Sequence, residues 1–403
     1  MRTWIILALI LALAAFLRLW QLDVIPPSAF RDVTINGNDA LNALQTGHFK
    51  VFYPNNTGRE GLFINLVAVS FFIFGAKLWA IRVVAAVCGI LTVLGTYLVA
   101  KDLVKDKSVA LLSSFFLAVS FWHILISRVG FRVIMVPFIL TFAVYFLLKA
   151  FRKNNLFYFI VAGILWGLGF YTYIAFRLSV LLLVAILILK RNLRSSVVFL
   201  ATTFLVALPI GLYFLHNPQD FISRTSDISV FSQVSPIGVF ISSLISHLAM
   251  FNFLGDGNWR HNYAGSPMLY WPVGLLFLGG IVLTIQRFKK AIIEHSILFV
   301  WFFAMLLPGA LTYSGIPHSL RVLGVIPVVY IFAGIGGIEL YRWLVHPRRR
   351  KKLIIAICLI LLVLIALAGF NQYFFVWAKD PHVGKAYTLV WEQVIQVVPG
   401  HLG

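Results

Sequence analysis

Long apolar runs separated by short polar breaks fill most of the 403-residue chain. Eleven of these runs are candidate membrane spans: 3–20, 79–100, 108–126, 133–150, 156–175, 178–190, 196–215, 268–286, 295–313, 322–341 and 353–370. Several fall short of the about 20 residues that cross a bilayer without tilting or thinning it. A further run, LFINLVAVSFFIFG at 62–75, is shorter still and reads as an interfacial or re-entrant segment. Two polar inserts interrupt the rhythm, at 21–78 and 216–267, and a tail, 371–403, follows the last run. In the first insert PPSAF and PNNTG read as turns. Asn38 or Asp39 is placed to cap a short helix, DALNALQT, which Gly47 would end. The pattern predicts an all-α polytopic membrane domain over 1–370 with a folded first loop.

Basic residues orient it. With the N-terminus in the cytoplasm, Lys101/Lys105/Lys107, Lys149/Arg152/Lys153, Lys190/Arg191/Arg194, Arg287/Lys289/Lys290 and the run Arg348 to Lys352 all fall on the cytoplasmic side. Both inserts and the tail are then non-cytoplasmic, and the expected location is the plasma or inner membrane. Ala12-Leu13-Ala14 fits a signal-peptide cleavage pattern. It lies inside the apolar run, however, and Arg18 and Trp20 follow it like an interfacial anchor, so a retained helix is expected.

Composition narrows the class. The chain is 61% hydrophobic with mean hydropathy +0.94, which excludes a soluble enzyme on a single anchor. The net charge of +20 reads as a topogenic signal reinforced by anionic lipid, so the bilayer is a partner and nucleic acid is not. Cys88 and Cys358 lie in separate spans and imply neither a disulfide nor a metal site. Nucleotide-loop, zinc-protease and paired-cysteine motifs are absent.

Candidate chemistry gathers at the insert side. Four of the 13 acidic residues, Asp23, Asp32, Asp39 and Glu60, sit in the first insert. Arg59, Arg128, Arg132, Arg177, His318 and Arg321 share that side and could surround one anionic headgroup. The planar guanidinium grips phosphate oxygens in pairs and stays charged in a dry site. Each residue also has a plainer reading. An arginine at a helix end can snorkel, Asp39 can cap a helix, Asp32 can pair with Arg31, and His261 can hydrogen-bond its own loop. Glu60 and His261 are the remaining candidates for holding a cation, but no metal is expected.

The order of these segments resembles a known superfamily. FRDVTINGNDALNALQTG, GREGLFINL, RVVAAVCGILTVLGTYLVAKDL, FWHILISR and the later GIPHSLRVLGVIP resemble the GT-C glycosyltransferases. Within them they are most similar to the bacterial branch related to protein O-mannosyltransferases and lipid A aminoarabinose transferases. The resemblance implies a GT-C-like bundle of about 11 transmembrane helices. It also implies inverting transfer of a sugar from a polyprenyl-phosphate donor to a hydroxyl acceptor on the non-cytoplasmic face. In that family an Asp of the first external loop is the general base, and Asp32 occupies its position. The family commonly has Asp-Glu there, whereas this chain has Asp32-Val33. Arg59 would correspond to the family's donor-phosphate cation. No cofactor is implied beyond the donor lipid, and the acceptor, whether glycan, lipid or protein, stays open. Family members often carry a soluble C-terminal domain, so acceptor recognition here is expected mainly from the two inserts. A lipid-carrier flippase or transporter, or a catalytically impaired lipid-binding relative, is the alternative. Against a transporter, there is no inverted repeat and no mid-span acid.

Overall fold

A computed structural model describes residues 2–191, 193–345 and 351–395. Every apolar run falls on helix. The order is α1 (Arg2–Leu19), α2 (Arg31–Thr46), α3 (Leu62–Phe74), α4 (Leu78–Val104), α5 (Lys107–Val119), α6 (Phe121–Arg128), α7 (Met135–Lys153), α8 (Leu156–Gly169), α9 (Ser179–Lys190) and α10 (Leu193–His216). It continues with α11 (Pro218–Ile228), α12 (Pro236–Ala249), α13 (Trp271–Gln286), α14 (Ile292–Ala310), α15 (Ile326–Val345), α16 (Lys351–Asn371), α17 (Pro381–Ala386) and α18 (Trp391–Val394). In the core, α4 packs on α1, α5 and α7, α15 packs on α5 and α13, and α8 packs on α7 and α10.

Among the described residues, six helices are long and apolar enough to cross a membrane on their own, or seven if the bent pair α5–α6 is one span. The expected spans 3–20, 156–175 and 268–286 fall on shorter apolar helices, and 178–190 falls on the 12-residue α9. The second insert is more structured than its polarity suggested, because it contains α11 and the apolar α12. The run 108–126 bends by 58° at Ser120. Ser120 caps α6 by accepting a hydrogen bond from the His123 amide at 3.3 Å, and Tyr330 donates to its hydroxyl at 2.5 Å.

A helix break inside an apolar bundle frees carbonyls that water cannot reach. Arg18 answers this one. Its guanidinium donates to Ala118 O at 2.9 Å, Leu117 O at 3.3 Å and His123 Nδ1 at 2.6 Å. The expectation of an interfacial anchor is therefore corrected: Arg18 is fully buried and stitches α1 to the break.

Two more buried arginines hold the entry to the first insert. Arg128 donates to Leu17 O and Gln21 O, both at 3.1 Å, and its guanidinium lies about 5 Å from the ring centres of Tyr373 and Phe374. Arg82 donates to Leu22 O at 3.0 Å and Ser28 O at 2.9 Å. The connection between α1 and α2 is thus fixed by side chains of α4 and α6.

Helix α2 starts eight residues before the expected DALNALQT and ends at Gly47, whose φ of 72° is the left-handed stop read from sequence. Its buried Val33, Gly37, Ala40 and Ala43 recur at helical spacing, and the helix packs on α3. Gly37 is required by a close approach, since a Cβ there would lie 2.4 Å from the Trp391 ring. A short hairpin follows, β1 (Phe52–Tyr53) against β2 (Arg59–Glu60), in the register Phe52↔Glu60 and Tyr53↔Arg59.

The tail is laced into both inserts. Ala29 and Leu389 exchange backbone hydrogen bonds at 2.8 and 3.1 Å. Trp391 Nε1 donates to Ala76 O at 2.8 Å, Trp377 Nε1 to Trp259 O at 2.9 Å, and Tyr387 to Arg260 O at 3.1 Å.

Replacing Arg128 by leucine leaves buried carbonyls without a charged donor. Each such hydrogen bond contributes about 1.5–3 kcal/mol, so thermal unfolding in detergent should shift down by several degrees or more. The same change at exposed Arg31 should leave it in place. Equal melting of the two variants would contradict this role for Arg128.

Candidate active site

The first turn of α2 carries Asp32, where the helix dipole favours a carboxylate. Asn56, in the PNNTG turn with φ 52°, donates from Nδ2 to Asp32 Oδ1 at 2.8 Å. Asp32 is half-buried, and the structure gives it Asn56 as partner. Its neighbour Val33 is only 1% exposed, and its methyls lie 3.3 Å from where a Gly130 Cβ would stand. Val33 is thus part of the packing.

Alternation along β2 sends its two side chains opposite ways. Arg59 turns to α2, where it pairs with Asp39 and donates to Asn36 Oδ1 at 2.8 Å. Arg59 is completely buried and Asp39 half-buried, and their ion pair fastens the hairpin to α2. Glu60 faces Arg132 Nε at 3.5 Å and Arg177 Nη2 at 4.0 Å. Arg132 also lies 5.2 Å from the Tyr173 ring centre. Arg177 donates to Phe221 O at 3.1 Å, which ties this cluster to α11 of the second insert.

A second cluster forms around Asp256, which sequence reasoning did not single out. Asp256 Oδ2 accepts from Ser319 N at 2.8 Å, Ser319 Oγ at 2.9 Å and His261 Nδ1 at 3.1 Å. The rings of His261 and His318 are 4.8 Å apart between centres, and the His318 amide donates to His247 Nε2 at 3.0 Å. Arg321 donates to Thr312 Oγ1 at 2.7 Å and Ser314 O at 2.6 Å. Phe131, next to Arg132, stands between this cluster and the start of α2. Its ring centre lies 6.1 Å from that of His261 and 6.3 Å from that of Phe30.

The expected residues therefore divide. Arg132, Arg177 and Glu60 come together, as do His261 and His318. Arg59 and Asp39 pair with each other, and Arg128 is enclosed by carbonyls of α1 and the first insert. Asp256 carried one sequence signal: the stretch GDGNWRHN places His261 five residues beyond it in a polar turn. Its partner Ser319 is 63 residues away and has no local signal.

Electrostatics follow from burial. Burial works against ionisation of Asp256, but the hydrogen bond and charge of His261, the nearby His318 and the Ser319 amide outweigh it and hold the carboxyl down at about 2. Burial lowers His261, and the hydrogen bond and charge of Asp256 only partly offset this. Burial, with His261 and Arg321 alongside, drives His318 well below its ordinary value. Asp256, His261 and His318 each present a ligand atom within 4.8 Å of the others, a donor set that suits a divalent transition metal. Asp256 Oδ2 already accepts three hydrogen bonds, however.

An apolar cavity of about 630 Å³ opens among α12 to α15, lined by Leu248, Phe251, Phe277, Phe299, Phe302 and Phe332 among others. Phe251 lies five residues before Asp256, so the cavity and the histidine cluster share one loop.

Residues 62–213 match the dolichyl-phosphate-mannose-protein mannosyltransferase family, from α3 into α10. No curated protein sequence matches the chain significantly. Among solved structures, the Archaeoglobus fulgidus oligosaccharyltransferase tethered with an acceptor peptide aligns with TM-score 0.65 at 15% identity, over 98% of this chain and 59% of that one. The same archaeal enzyme, AglB, in complex with an inhibitory peptide and a dolichol-phosphate gives TM-score 0.62 at 16% identity, over 96% of this chain and 56% of that one. ArnT from Cupriavidus metallidurans bound to undecaprenyl phosphate gives 0.59 at 15% identity, over 96% of this chain and 77% of that one. The chain thus spans little more than half the length of the archaeal enzyme. These structural matches show that the chain shares the fold of those enzymes.

Because His261 and His318 are held below their ordinary value of 6.5, the unfolded chain binds more protons than the native one as pH falls through about 6.5. Their contribution to stability is complete above that pH and is lost below it. The melting temperature should fall between pH 6.5 and 5, and His318→Asn should flatten that slope. An identical slope in both proteins would contradict this.

Proposed function

We propose that this GT-C-related protein is a membrane glycosyltransferase that moves a sugar from a polyprenyl-phosphate donor to a hydroxyl acceptor, with inversion and with Asp32 as general base. The reaction would occur at the end of the bundle that bears the inserts, on the non-cytoplasmic face. The observation that carries the reading is that one stretch supplies both Leu248 and Phe251 of the Phe-lined cavity and His247, Asp256 and His261 of the polar cluster. A polyprenyl chain needs the first, and its phosphate needs the second.

In this reading the acceptor hydroxyl gives its proton to the Asp32 carboxylate as its oxygen attacks the anomeric carbon. The bond from that carbon to the phosphate oxygen breaks, and its electron pair leaves on the polyprenyl phosphate. In-line attack inverts the anomeric centre. The phosphate monoester is stable as an anion, so the leaving group needs fixed positive charge more than a proton. Arg132, Arg177 and Arg321, with His318 as a neutral hydrogen-bonding group, take that role. Arg59 and Arg128 are assigned to the scaffold. Asn56 is a positioning residue that aims Asp32. The reading invokes no metal.

A positioned base contributes about 10²–10⁴-fold. Asp32→Asn should therefore lower turnover of polyprenyl-phosphate sugars in a membrane acceptor extract by that factor, with donor binding retained. Turnover followed by mass spectrometry checks it. Wild-type rates in the variant, or no donor consumed by folded wild type, would overturn the proposal.

A further inference from the structure

Three cations converge on one open pocket at the insert end. Arg31 begins α2, Arg260 belongs to the second insert, and Lys385 lies in the last turn of α17 in the tail. With Phe30 and Thr388 they line a cavity of about 440 Å³ that contains no carboxylate. Among the described residues, none of the three cations forms an ion pair.

The pocket is held by the fold. The Arg260 guanidinium stacks 4.1 Å from the Phe30 ring centre, and its Nε donates to Asn258 Oδ1 at 3.1 Å. The Arg260 carbonyl accepts from Tyr387 of the tail, and Leu389 is bonded to Ala29 on the other wall. Three segments far apart in sequence are thus locked together with their charges facing one space. Like charges gathered without a counter-charge repel one another and create a strongly positive local potential. A bound anion would relieve that repulsion.

We propose that this pocket binds an anionic group, a phosphate, on the acceptor. The binding claim stands on the pocket alone, whereas calling the occupant an acceptor rests on the transferase reading. Two features separate the pocket from a donor site. Its lining comes from two inserts and a tail rather than from apolar helices that could guide a polyprenyl chain. Arg31 in its lining also directly precedes Asp32 in the first turn of α2, the residue that an acceptor hydroxyl would have to reach. A phosphate held here would steer a phosphate-bearing glycan or glycolipid to the base, and the cations would select against neutral hydroxyl compounds.

The test is equilibrium binding to full-length protein in neutral phosphatidylcholine nanodiscs. The probes are a fluorescent glycerol-phosphate hexamer, its phosphate-free counterpart and undecaprenyl phosphate. Charge-assisted hydrogen bonds of this kind give roughly tenfold each. Wild type should bind the phosphorylated probe at least about tenfold more tightly than the neutral one. Arg260→Gln/Lys385→Gln should erase that preference while leaving undecaprenyl phosphate binding and the melting temperature unchanged. Equal binding of the two hexamers by wild type would overturn the proposal. Loss of undecaprenyl phosphate binding in the double variant would also overturn it, by assigning the pocket to the donor. Because no turnover is read, failure of the transferase reading would appear only in the donor-consumption assay.

Discussion

Carbonyls in an apolar bundle must find donors within the protein, and this constraint governs how the insert end is built. The break at Ser120 frees Leu117 and Ala118, and the connection from α1 to α2 exposes Leu17, Gln21, Leu22 and Ser28. Arg18, Arg128 and Arg82 supply the donors. A guanidinium suits this work, since it has five N–H groups on a rigid fork and does not lose its charge. Once these arginines are in place, the start of α2 is fixed relative to α4 and α6, and Asp32 with it.

On that frame the inserts and the tail close over one end of the bundle. The hairpin parts Arg59 from Glu60, so that one fastens α2 while the other collects Arg132 and Arg177. The Asp256 cluster fixes the second insert to the loop carrying Ser319 and Arg321. Phe131 stands between the two. The tail crosses both inserts through Leu389, Tyr387 and Trp391. Charge at this end therefore falls into three kinds: scaffold cations enclosed by carbonyls, the Arg59–Asp39 pair, and the clusters assigned to the proposed reaction space.

Much of the fold was legible because hydrophobic runs of this length have few alternatives to helix. Asp32, Glu60 and the loop arginines stood out as candidates, since charge is scarce in such a chain. Which arginine does which job was not. Arg128 and Arg132 are four residues apart and look alike in sequence, yet one is enclosed by carbonyls and the other meets Glu60. That difference depends on where the α1–α2 connection returns, a long-range fact with no local signature. Asp256 was missed for the same reason, because its partner Ser319 lies 63 residues away in sequence. The longer α2 was missed because Gly37 weakens a local helix reading, although Trp391 of the distant tail requires that glycine.

The account joins a lipid chain in the Phe-lined cavity to a phosphate at the insert end. The most direct check is the structure of the protein in nanodiscs with bound undecaprenyl phosphate. The account predicts the polyprenyl chain along Phe251, Phe302 and Phe332, with its phosphate among His318, Arg321 and Arg132. A chain bound between other helices, with the phosphate remote from Asp32, would contradict it.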